Sequence, residues 1–309
     1  MILATPVAGK HPMKIDAFSG FHPVVNFLYF VAVIGLAMFL MHPVCLGISL
    51  GCAAAYSVYL GGKRAVRMGI KYMLPMLVFT ALLNPVFNHR GVTILAYLPN
   101  GNPLTFESIL FGIAAAVMLI TVTMWFACWG AVMTSDKFIY LFGRVIPALS
   151  LILSMSLRLV PRFGVQLKVI SNAQRCIGRE IAGGSILQKI QRGAKILSIM
   201  TTWALENAIE TAQSMKSRGY GIPGRTAFSI FRFKRRDTYA IAYILACSGA
   251  VVTGAISGAL HFRYFPSVAG NWRGVGTIVL FAAYLALGAL PILVNLREDL
   301  AWKRIESRT

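Results

Sequence analysis

Charge is scarce in this sequence: 13% of its 309 residues are Asp, Glu, Lys or Arg, where soluble domains carry about 25%. With 57% hydrophobic residues and a mean hydropathy of +0.68, the shortage excludes a water-soluble fold and marks an integral membrane protein. No CxxC pair occurs. Cys45, Cys52, Cys128, Cys176 and Cys247 are scattered, mostly in apolar segments, which supports neither a zinc site nor a disulfide framework and leaves them as small packing residues. A GxxxxGK[ST] phosphate cradle is missing too, so the chain has no P-loop with which to hold ATP. Its basic residues lack the interleaved aromatics of a base-stacking surface, which argues against nucleic acid as a partner.

What is present is a set of six uncharged runs, Val24 to Met41, Val44 to Leu60, Tyr72 to Phe87, Ser108 to Met133, Thr238 to Leu260 and Gly274 to Leu296. Roughly 20 such residues cross a hydrocarbon core of about 30 Å, so the expected fold class is all-α with about six transmembrane helices. The first run follows polar residues and the turn at His22-Pro23, without a small-residue cleavage site, and is expected to stay in the mature chain. Ion-coupled carriers keep an ionisable group at mid-depth, and none of the six runs contains one. Energy for uphill movement is therefore expected from a partner.

Orientation follows from the basic residues, because short loops rich in Lys and Arg stay cytoplasmic. Lys10 and Lys14 precede the first run, and Lys63, Arg64, Arg67 and Lys71 separate the second from the third. Asn88 to Glu107 and His261 to Arg273 then lie outside, both termini are cytoplasmic, and so is Thr134 to Asp237. That segment holds 17 of the 30 Lys and Arg against five acidic residues, in a chain of net charge +20. Attraction to the inner leaflet of the lipid bilayer, together with topology, accounts for most of these cations. The organisation read from this is a membrane region at 1–133, a cytoplasmic or interfacial helical region at 134–237, and a second membrane region with a basic tail at 238–309. Gly47-x-x-x-Gly51 and Gly254-x-x-x-Gly258 would let helix backbones approach closely, either within the chain or as a groove for another membrane subunit.

In the cytoplasmic region, prolines predict one helix from about Pro147 to Val160 and another from about Pro161 to Gly178. The apolar stretch Ala148 to Leu157 is ten residues long, too short to span and better suited to an interface or a buried position. A third helix is expected from near Ser185 to Arg218, with Leu187, Ile190, Ala194, Leu197, Thr201, Ala204 and Ala208 spaced by three and four as a stripe that packs on a neighbouring helix. Two helices end alike, at Arg175-Cys176-Ile177-Gly178 and Lys216-Ser217-Arg218-Gly219. A glycine cap and a cation near the helix dipole explain each ending separately. A pair of them on the cytoplasmic face also suits partner docking, since the Arg fork binds carboxylates or carbonyls bidentately.

In this order, His22-Pro23, Asn84-Pro85, Ser156-Leu157-Arg158-Leu159-Val160-Pro161, Ala173-Gln174-Arg175 and Met215-Lys216-Ser217-Arg218-Gly219-Tyr220 resemble the transmembrane coupling (T) component of energy-coupling factor ABC transporters, the EcfT/CbiQ-like family. The resemblance covers nearly the whole chain. It implies a non-catalytic subunit working with two ABC ATPase subunits, as a homo- or heterodimer, and with a small membrane substrate-binding (S) subunit. The cargo would be a vitamin or a transition metal ion such as cobalt, and the location a prokaryotic inner or plasma membrane. The resemblance further implies that ATP and Mg belong to the ATPases, with no cofactor on this chain, and that two coupling helices end in Ala-Arg-Gly-like motifs whose arginines dock on the ATPases. Ser217-Arg218-Gly219 fits that motif with one small-residue exchange. At the other end Gly178 aligns, but Ile177 stands where Arg is expected, leaving Arg175 or Arg179 to supply the contact. The stripe Leu187, Ile190, Ala194, Leu197, Ala204 and Ala208 would grip the S subunit or a partner helix. Two other readings stay open: a multi-span membrane enzyme acting on lipid-linked substrates, and a stand-alone channel or secondary carrier.

Overall fold

A computed structural model describes residues 16–88, 91–97, 103–143, 147–178, 185–222, 231–270 and 274–306, and each of the six apolar runs is helical. They form α1 (Pro23–Phe39), α2 (Pro43–Met68), α3 (Leu74–Phe87), α4 (Phe106–Val132), α8 (Arg235–Ile256) and α9 (Val275–Glu306). Four of these are long and apolar enough to cross a membrane: α2 as far as Gly62, α4, α8 and α9. The other two have 17 and 14 residues, about 25 and 21 Å at 1.5 Å per residue, and fall short of a full hydrocarbon core. Large apolar side chains such as Phe39, Phe79, Leu82 and Ile256 stand exposed along these helices, as expected where the solvent is lipid.

The chain divides into two compact units, Met1–Thr134 with Phe231–Thr309, and Ser135–Ile230. In the first unit a repeated local device starts two helices. His22-Pro23-Val24 opens α1 and His42-Pro43-Val44 opens α2; in each, the imidazole Nδ1 accepts the backbone N–H of the valine at 3.3 Å. Proline at the first helical position has no N–H to satisfy, so the next residue offers the first orphan donor. The α2 helix breaks at Gly62 (φ 54°, ψ −143°), a left-handed conformation that glycine adopts without a Cβ penalty. The basic connection to α3 is itself helical, ending in a π-helical turn over Gly69–Met73.

The Asn84-Pro85 step does not end the third helix: α3 continues through Pro85 to Phe87. Pro85 has no N–H for the carbonyl of Ala81, four residues back. That carbonyl faces Gly112 of α4, where an added Cβ would stand 2.9 Å from it and 3.1 Å from Asn84 Cβ. A bare glycine therefore lets α4 close on α3. The glycine pairs picked out from sequence behave differently: Gly254 packs against Leu280 of α9, whereas a Cβ at Gly47 or Gly51 would meet nothing within 4 Å. Gly47 instead borders an apolar cavity of about 500 Å³ shared with Pro43, Leu46, Leu110, Ala114 and Phe262.

Aromatic side chains fill the core of this unit. Phe18, Tyr29, Phe30, Tyr56 and Trp125 are fully buried and meet mostly edge-on, with ring centroids 5.1 to 6.5 Å apart, the favoured quadrupole geometry. Their polar atoms find partners: Trp125 Nε1 donates to Ser49 Oγ at 3.0 Å and the Tyr29 hydroxyl to the Gly288 carbonyl at 3.1 Å. The segment before α1 folds back so that Asp16 accepts from Tyr56 Oη (2.9 Å), Asn295 Nδ2 (2.6 Å) and Ser19 N (3.1 Å). Three donors satisfy this carboxylate, which ties α2 and α9 together.

Two short antiparallel pairs close the connections expected to lie outside. β1 (Ile94–Tyr97) pairs with β2 (Pro103–Thr105), and β3 (Phe262–Arg263) with β4 (Ala269–Gly270). At its other end the unit is latched by Asp237 in the first turn of α8, 1% exposed. Its carboxylate accepts from Lys234 N at 2.8 Å and from His22 N at 3.3 Å, so the start of α8 is fixed to the start of α1.

The second unit contains α5 (Ser135–Gly143), α6 (Pro147–Cys176) and α7 (Ile186–Ser217). The helix boundary expected at Pro161 is absent: α6 runs unbroken through it for 30 residues. Proline costs one hydrogen bond and a local clash, while turns on both sides propagate cooperatively and Phe163 packs on Trp203 of α7, rings 5.7 Å apart. The start of α7 is as expected. Ser185 is its N-cap, Gln188 N donates to Ser185 Oγ, and Ser185 N donates to Gln188 Oε1, a reciprocal capping box.

Candidate functional site at two capped helix ends

The C-terminus of α7 is closed by a double bond pattern around a left-handed glycine. Gly219 (φ 73°) donates its N–H to the Lys216 carbonyl at 3.0 Å, and Tyr220 donates to the Met215 carbonyl at 3.0 Å. This is the Schellman arrangement, and it makes Arg218 the C-cap residue. Ser217 is turned back into the helix, its hydroxyl donating to the Gln213 carbonyl at 2.7 Å. Arg218 is exposed.

The end of α6 repeats the glycine bond. Gly178 (φ 74°) donates to the Arg175 carbonyl at 3.0 Å, the same bond that Gly219 makes to Lys216. Aligned on the glycine, Arg175 corresponds to Lys216, Cys176 to Ser217 and Ile177 to Arg218. Arg175 thus occupies a different position from Arg218, and Arg179 lies outside the described residues. Ile177 holds the place of Arg218 and is 65% exposed. Each helix already has a cation one residue before its last helical residue, where it complements the negative end of the dipole.

The face of α7 that meets α6 is a different one from the stripe expected from sequence. Ile196 is buried, with Met200, Trp203 and Asn207 partly so at helical spacing, and this face packs inward. Leu187 and Leu197, each 67% exposed, Ile190, Ala194 and Ala208 stay in the open, and Ala204 is half-buried. Sequence spacing found a second apolar face and missed the first, because Trp203 and Ile196 lie between the residues it grouped. Hydropathy also gave no hint of Asp16 or Asp237 as latches; both flank the apolar runs and find partners only across the fold. No three His, Cys, Asp or Glu side chains come together as metal ligands among the described residues.

Curated proteins named EcfT align with this sequence. The energy-coupling factor transporter transmembrane protein EcfT of Lactobacillus helveticus is 27% identical over 194 residues, 60% of this chain and 70% of that protein. The EcfT of Lacticaseibacillus paracasei is 26% identical over 212 residues, 65% and 80% of the two chains. The chain is similar in sequence to the energy-coupling factor transmembrane proteins. The EcfT of Lactococcus lactis reaches 34% identity over a shorter stretch of 98 residues, 31% of this chain and 37% of that one. No family model matches the chain. The EcfT proteins are named as membrane components of a transporter, in keeping with the all-α membrane architecture.

Proposed function

We propose that the chain is the non-catalytic coupling subunit of an energy-coupling factor type importer in a prokaryotic plasma membrane, with both termini cytoplasmic. Two ABC ATPase subunits would carry ATP and Mg, and a small membrane S subunit would bind a vitamin or a transition metal ion. ATP-driven closure of the ATPases moves the ends of α6 and α7, and these helices tilt the S subunit so that its site opens inward. Arg218, flanked by Ser217 and Gly219, is the contact at one ATPase; the end of α6 at Arg175 to Gly178 serves the other. The stripe Leu187, Ile190, Ala194, Leu197, Ala204 and Ala208, exposed except at the half-buried Ala204, grips the S subunit.

The observation that carries this reading is the cap of α7. Gly219 and Lys216 already meet the structural needs of the helix end, so an exposed guanidinium at Arg218 is available to a partner carboxylate or carbonyl. Truncating a buried Arg anchor costs about 2 to 4 kcal/mol. Arg218→Glu, tested beside Arg218→Ala, is expected to abolish ATPase co-purification and uptake while leaving the chain in the membrane. Normal co-purification and uptake by both variants would overturn the assignment.

A further inference from the structure

The two helix ends share a cap and differ in what they present. At both, a glycine at φ 73° or 74° donates to a carbonyl three residues back at 3.0 Å. At both, a cation sits at the position of that carbonyl, Arg175 in one and Lys216 in the other. The glycine bond and the cation before it are thus common to both ends, and the C-cap side chain differs: a cation at Arg218, an aliphatic group at Ile177. A partner carboxylate of the kind that would pair with Arg218 would stand desolvated and unpaired against Ile177, which is strongly unfavourable.

We infer that the end of α6 docks through Ile177 into an apolar pocket on its ABC ATPase subunit, so that the two ATPase contact sites differ in chemistry. The inference rests on the proposed function, in which both ends meet ATPases. The chain carries a handle beside this residue: Cys176 is exposed, whereas Cys45, Cys52 and Cys128 are buried and Cys247 is half-buried.

The test uses the chain co-expressed and co-purified in detergent with the ABC ATPase subunits of its transporter. Maleimide labelling of Cys176, read by peptide mass spectrometry, is expected to be rapid in the chain alone and at least about tenfold slower in the complex. Ile177→Leu should retain both ATPase contacts, and Ile177→Asp should weaken association roughly tenfold or more, the range for losing one buried aliphatic side chain. Ile177→Arg should weaken it as well. If Ile177→Arg binds as tightly as the native chain or tighter, the pocket is acidic and the inference falls. If Ile177→Asp is silent while Arg218→Glu dissociates an ATPase, the inference falls and the proposed function stands. If both are silent, both fall. Unchanged elution of each variant chain alone on size exclusion separates lost docking from lost folding.

Discussion

Replacing Asp237 removes the latch between the starts of α1 and α8, and the structure sets how much that costs. The carboxylate is 1% exposed and accepts two backbone N–H groups, Lys234 at 2.8 Å and His22 at 3.3 Å. Its ion pair with Arg236 is long, 3.8 Å, and the Arg side chain is 46% exposed, so that pair adds little, about 0 to 1 kcal/mol. Losing the bond to the N-cap costs about 1 kcal/mol, and leaving the buried His22 N–H unpaired costs about 1 to 3 kcal/mol. Asp237→Ala is therefore expected to lose about 2 to 4 kcal/mol. Asp237→Asn keeps an acceptor of the same shape and should lose less than half of that. Thermal unfolding of the detergent-solubilised chain checks the order native, Asn, Ala, at about 2 to 4 °C per kcal/mol. Hydrogen exchange should localise the lost protection to the first turns of α1 and α8. Equal stability of the alanine variant and the native chain, or loss of protection elsewhere alone, would refute the reasoning.

Three further outcomes follow. Gly112→Val should separate α3 from α4, because its Cβ would meet the Ala81 carbonyl at 2.9 Å and backbone cannot yield cheaply; a disulfide cross-linking series between the two helices should lose its native pattern, and an unchanged pattern would refute the close approach. Burial holds the His22 imidazole below its ordinary pKa of 6.5, with the Asp237 charge acting in opposition, so the neutral ring that caps Val24 N–H is the stable form. Its contribution is present above about pH 6.5 and is lost as the pH falls through the lower folded value; His22→Asn, which keeps a capping acceptor, should flatten that part of the stability profile, and an equal slope in both chains would contradict the assignment. At the end of α6, Arg175→Ala should weaken coupling less than Ile177→Asp in an uptake assay, since Arg175 matches Lys216 in the cap; a larger loss for Arg175→Ala would return the contact to that residue.

Much of the fold was legible because it rests on local chemistry. Apolar runs mark helices wherever they fall in the chain, and Ser185 with Gln188 announces the start of α7 by spacing alone. Pro161 shows the same reason in reverse: a local rule predicts a boundary, while flanking turns and packing on Trp203 carry α6 through it. The site was partly legible. Two glycine-capped endings, and Ile177 in the place of an arginine, could be read by eye; the bond from Gly178 to Arg175 and the exposure of Ile177 came only from the fold.

The sequence by itself determined the solvent of this protein, its helical class, and the caps of α6 and α7, because composition, periodicity and capping act within a few residues. Only the tertiary structure decided which face of α7 meets α6, why Gly112 must be small, and what Asp16 does, bonded to Asn295 across 279 positions of chain. Those outcomes depend on groups that folding alone brings within a hydrogen bond or a van der Waals radius of each other.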